Sequence, residues 1–92
     1  MKERIQSLME KRLRNRRNEL RDLGGAGRHA ESPRGREVTV RLSLELEEVE
    51  SALRRLGNRT YGICRQCGTA IAHGRLYNVP HTDRCTRCAV GA

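Results

Sequence analysis

Two Cys-x2-Cys pairs dominate what this 92-residue chain can fold into: Cys64-Arg65-Gln66-Cys67 and Cys85-Thr86-Arg87-Cys88, with seventeen residues between them. These four are the chain's entire cysteine complement. A chain this short buries little apolar surface and usually needs a cross-link to hold a fold. The remaining composition sharpens that need: there is no Phe and no Trp, and Tyr61 and Tyr77 are the sole aromatics. Zinc takes four thiolates in a tetrahedron, and each Cys-x2-Cys turn presents two of them on one side of a tight loop. The spacing falls in the range of structural zinc ribbons. Two disulfides would require an oxidising compartment. A redox pair needs one Cys-x2-Cys on a βαβ scaffold, which this pattern lacks. The reading is one structural Zn(II) held by Cys64, Cys67, Cys85 and Cys88 in a treble-clef-like ribbon. His73 and His81 lie between the pairs and are not needed to close the site.

The flanking residues fit this assignment. Gly62 and Gly68 bracket the first pair, and Gly68 is expected to turn backbone N–H groups toward the sulfurs. Arg65, Arg84 and Arg87 stand beside the ligands, where they either offset thiolate charge or meet a partner. No nucleophile–base set and no open metal position is visible, so the chain reads as a non-enzyme.

Upstream, residues 2–23 read as a helix, with Ile5, Leu8, Met9, Leu13, Leu20 and Leu23 at roughly helical spacing and a stripe broken at Arg16 and Arg17. Gly24 and Gly25 are expected to end it. Residues 24–36, GGAGRHAESPRGR, read as a flexible connector. Residues 40–57 form the strongest helix, with Leu42, Leu46, Val49, Leu53 and Leu56 as a coiled-coil seam. Thr39 or Ser43 is the expected cap. The early glutamates and the late Arg54 and Arg55 suit the macrodipole, and Glu50 is set to pair with Arg54. Val38, Val40, Leu42 and Leu44 also alternate like a strand, leaving the helix start open. The expected architecture is mainly helical: a helical hairpin over 1–57, or a partly disordered first helix, then a zinc finger over 58–92. The leucine seam packs on the first helix or, failing that, on a second copy; a monomer is the expectation.

Net charge is +8, and every basic residue except Lys2 and Lys11 is arginine. The bases concentrate in the first helix and the finger, on either side of an acidic second helix. That balance favours an anionic partner, either nucleic acid or an acidic protein surface. No stretch is apolar enough to span a membrane, and MKERIQSLMEKRLR lacks the apolar centre of a secretory signal. A cytoplasmic setting is expected.

The run Tyr61-Gly62-Ile63-Cys64-Arg65-Gln66-Cys67-Gly68-Thr69-Ala70-Ile71, then Arg75-Leu76, Pro80 and Cys85-x2-Cys88, resembles the DksA/TraR C4-type zinc-finger family. The preceding ELEEVESALRRLGNRTYG resembles that family's helix entering its finger. The resemblance covers residues 45–88. It implies a bacterial transcription regulator that binds RNA polymerase directly, without sequence-specific DNA contact. The finger would sit on the rim of the secondary channel and the hairpin would enter it, often together with the alarmone ppGpp. Arg16, Arg17, Arg65, Arg75, Arg84 and Arg87 are the candidate partner contacts. Well-known members carry an acidic Asp-x2-Asp pair at the inserted tip. Here the loop carries Arg28, Arg34 and Arg36, with Asp22 and Glu31 as its nearest carboxylates. The alternative from charge alone is a zinc-stabilised basic protein that binds nucleic acid or the ribosome.

Overall fold

A computed structural model describes residues 3–25 and 33–90. Helix α1 spans Glu3–Gly25 and α2 spans Pro33–Gly57; two short helices, α3 (His73–Asn78) and α4 (Thr86–Val90), lie in the finger. Among the described residues the sole β pairing is an isolated antiparallel bridge between Ile63 and Ala70. At ~1.5 Å per residue, the 25 residues of α2 give it a length of about 37 Å.

Both long helices exceed their expected bounds. Helix α1 continues through Gly24 and Gly25. Helix α2 begins at Pro33, well before residue 40, so Thr39 and Ser43 lie inside it and not at its start. Proline suits the first helical position because its fixed φ is helical and its missing N–H would have no intrahelical partner there. The strand-like alternation at Val38–Leu44 stays helical, and no neighbouring strand among the described residues offers it a ladder. Both ends of the expected connector are therefore helix, and its centre, residues 26–32, lies outside the described residues.

The helices pack antiparallel. Glu3 and Gln6, at the start of α1, line the same hollow as Leu53, Leu56 and Gly57, at the end of α2. Met9, Leu13 and Leu20 from α1 meet Val49 and Ala52 from α2 in the core, with Leu42, Leu46, Leu53 and Leu56 packed against it. The expected seam thus docks on the first helix, as one reading held. Leu8 and Leu23, counted in the α1 stripe, are instead exposed. The polar flanks match as the charge asymmetry implied. Arg16 donates to both carboxylate oxygens of Glu45, one contact at 3.0 Å. Arg21 reaches Glu50 at 3.3 Å. Glu50 therefore pairs across the hairpin, not along α2 with Arg54.

The same core continues into the finger, where Tyr61, Cys64, Ile71, Leu76 and Cys88 are buried in contact with the helical cluster. The exit from α2 is a tight reversal. Thr60 and Tyr61 both donate backbone N–H groups to the Arg55 carbonyl, at 2.9 and 3.1 Å. Arg59 takes the left-handed conformation, φ 65°, at the position where glycine usually closes a helix.

Candidate metal centre

The first cysteine pair sits on a knuckle built by backbone hydrogen bonds. Cys64 N donates to the Thr69 carbonyl at 2.8 Å, Ile71 N to that of Gly62 at 2.8 Å, and Gly68 N to that of Cys64 at 2.9 Å. Gly62 and Gly68 hold φ of 84° and 78°, which only glycine adopts at little cost. The N–H of Gly68 itself closes the turn. The groups that point at sulfur come from neighbours: the backbone N–H groups of Cys67, Cys85 and Gln66 face Cys64, and Thr69 approaches Cys67 Sγ with its hydroxyl at 2.9 Å.

The second pair straddles the start of α4, with Cys85 just before it and Cys88 in its first turn. All four Sγ atoms lie within 4.8 Å of one another. Cys67 and Cys85 Sγ are 3.7 Å apart, and none of the four is in a disulfide. Bonds of ~2.3 Å to a tetrahedral zinc imply an S···S edge of about 3.8 Å. The four cysteines are thus positioned to bind one metal ion. His73 and His81 stand outside the cluster; His81 Nε2 instead lies 3.2 Å from Glu48 on α2.

Electrostatics favour a cation at the cluster centre. Backbone N–H groups, first that of Cys67, hold the Cys64 thiol down at about 6. The Thr69 hydroxyl lowers Cys67. The neighbouring Cys85 and burial push Cys88 up to about 12. Crowded thiols cannot all ionise on their own, and a divalent ion removes that restriction, releasing protons as it binds.

Two residues fasten the finger to the hairpin. Tyr61 is buried and donates its hydroxyl to the Pro80 carbonyl at 2.8 Å; burial pushes its pKa up to about 12. Arg55, also buried, donates to Ser51 Oγ at 2.8 Å and to the carbonyls of His81 and Thr82 at 3.3 and 3.4 Å. The sequence assigned Arg55 only to the helix dipole. Its structural role depends on loop carbonyls about 26 residues away, which no local pattern reveals.

The candidate partner arginines separate into two groups. Arg16 is engaged by Glu45 and Glu19. Arg75 donates its Nε to the Arg84 carbonyl at 2.9 Å. Arg17 is half-buried and lines the hollow between α1 and the end of α2. Arg65 is exposed and 3.6 Å from Asp83, while Arg84 and Arg87 are exposed on the finger surface.

Residues 59–92 match the prokaryotic dksA/traR C4-type zinc finger. Residues 59–92 are thus similar to the DksA/TraR C4-type finger. An uncharacterized protein of Aquifex aeolicus (strain VF5) is 43% identical over 44 residues, 48% of this chain and 30% of that protein. The chain thus spans under a third of that relative. The structure of transcription factor DksA2 from Pseudomonas aeruginosa aligns over 99% of this chain and 84% of that one, with TM-score 0.83 and 24% identity. The RNA polymerase binding protein and transcriptional regulator Dks from Chlamydia trachomatis aligns over 99% and 90%, with TM-score 0.68 and 18% identity. The DnaK suppressor protein from Agrobacterium tumefaciens aligns over 94% and 92%, with TM-score 0.67 and 29% identity. The likeness to the DksA structures therefore extends past the finger to the α1–α2 hairpin. Among the described residues no helix is long and apolar enough to cross a membrane.

Proposed function

We propose that this protein is a non-catalytic transcription regulator that binds bacterial RNA polymerase near its secondary channel. In this reading residues 1–57 supply the probing hairpin and 58–92 the docking finger. The observation that carries it is the shared arrangement of hairpin and finger, aligned with DksA2 over 99% of the chain. The Chlamydia protein of the same fold is described as RNA polymerase binding. Zinc held by Cys64, Cys67, Cys85 and Cys88 would fix the finger surface and take no part in chemistry; four thiolates leave no coordination position for substrate. The exposed Arg84, Arg87 and Arg65 are the proposed finger contacts.

The competing reading is nonspecific binding to nucleic acid or the ribosome through the basic surface. Much of that charge is spent internally: Arg14, Arg16, Arg21 and Arg41 pair with glutamates and Arg55 is buried. The test is a pull-down of the zinc-loaded protein from nuclease-treated bacterial lysate across a salt series, read by mass spectrometry. Recovery of polymerase subunits that persists at moderate salt is expected. Recovery of ribosomal proteins or nucleic acid alone, lost on nuclease treatment or salt, overturns the proposal, because phosphate contacts weaken steeply with salt.

A further inference from the structure

A hollow lies between the end of α2 and the first cysteine knuckle. Arg54, Arg55, Arg65, Asn58 and Ser51 contribute to its lining together with the metal ligand Cys64, and no carboxylate does. Three arginines border it. Arg55 is the buried one, and burial together with the nearby Arg65 and Arg54 lowers its pKa. Among the described residues Arg54 has no ion-pair partner, and Arg65 is held only loosely, 3.6 Å from Asp83.

The orientation of Asn58 is settled by its neighbours. Its Oδ1 accepts from Thr60 N at 3.2 Å and from Thr60 Oγ1 at 2.5 Å. The amide NH2 of Asn58 therefore remains as a pair of donors with no acceptor assigned to it. Ser51 Oγ already accepts from Arg55. The opposing charge of the helix end is muted, since the Arg54 and Arg55 carbonyls are taken by the N–H groups of Asn58, Thr60 and Tyr61. The result is a concavity rich in donors, in which the anionic neighbour is the buried Cys64 sulfur, whose charge a bound metal ion would share. Guanidinium forks and an amide arriving from different directions suit the several oxygens of a tetrahedral dianion better than the two of a planar carboxylate.

We propose that this hollow is a binding site for a phosphoryl anion, held by Arg54, Asn58 and Arg65. The full zinc-loaded chain is titrated with inorganic phosphate and with pyrophosphate, following arginine and asparagine side-chain N–H signals by NMR. No polymerase enters the assay, so its outcome is independent of the function proposed above. Saturable shifts are expected at Arg54, Asn58 and Arg65. Arg54→Gln should weaken binding about tenfold, as expected for loss of one charge-assisted contact. Asn58→Asp keeps the two accepted bonds, so the turn survives, but replaces the donor with a carboxylate oxygen; binding should fall at least as far. Circular dichroism and zinc content report folding of each variant. Arg41→Gln, remote and exposed, serves as the control. Equal weakening by Arg41→Gln, an equal response to acetate or chloride at matched ionic strength, or unshifted Arg54 and Asn58 signals would each overturn the site.

Discussion

At the residue scale, two positions test one piece of backbone physics with opposite signs. Arg59 holds φ 65° and Gly68 holds φ 78°. A side chain in the left-handed region costs about 1 kcal/mol, where glycine is at little disadvantage. Arg59→Gly is therefore expected to raise unfolding stability by up to ~1 kcal/mol. Gly68→Ala should lower it by about 1–2 kcal/mol, although open space surrounds the added methyl. Urea unfolding of the zinc-loaded protein measures both, and a neutral Gly68→Ala would refute the conformational account. Arg55 makes a sharper case. Its guanidinium holds three acceptors in a buried position. Arg55→Met removes the charge and strands the His81 and Thr82 carbonyls, for an expected loss of about 1–3 kcal/mol by the same measurement. The residue ties the last turn of α2 to the 81–82 loop of the finger.

At the scale of elements, the hairpin depends on one apolar seam and its charged flanks. Ala52 is fully buried where the helices approach each other. The seam pattern of Leu42, Leu46, Val49, Leu53 and Leu56 passes it over because alanine is weakly hydrophobic; its value here is smallness. Ala52→Leu should overpack the interface and cost about 1–3 kcal/mol, read as a lower thermal midpoint. The Arg16–Glu45 pair adds a pH dependence. Hydrogen bonding to Arg16 lowers the Glu45 pKa below its ordinary value of 4.5. A carboxylate stabilised in the folded state contributes fully above its unfolded pKa and loses that contribution as pH falls through the folded value. Stability should thus decline below about pH 4.5, and Glu45→Gln should flatten that part of the acid limb while leaving neutral pH less stable. An unchanged acid limb in the variant would mean that the pair contributes nothing.

At the scale of the molecule, the hairpin and the metal centre share one core. Tyr61, Ile71, Leu76 and two of the cysteines join Met9, Leu13 and Val49 in a continuous buried cluster. Metal binding is then coupled to folding beyond the finger. Cys67→Ser should release zinc, unfold residues 58–92 and lower the helical circular dichroism of the hairpin as well. Retained zinc with an unchanged spectrum would contradict this. Chelation of the wild-type protein should give the same spectrum, and its onset should move to lower chelator concentration as pH falls, because protons compete for the thiolates.

The sequence by itself determined the metal-binding cysteines, the helical hairpin and the leucine seam. Each is written in local spacing: Cys-x2-Cys turns, a 3–4 repeat, and opposite charge on successive helices. It could not place the start of α2, because glycines and Pro33 read as punctuation, whereas Pro33 takes the first helical position. Nor could it show that Gly68 closes a turn while Gln66, Cys67 and Cys85 face the sulfur. The role of Arg55 was decided by tertiary structure alone. Its partners include the His81 and Thr82 carbonyls, brought near by the fold, and main-chain carbonyls leave no mark in a side-chain pattern.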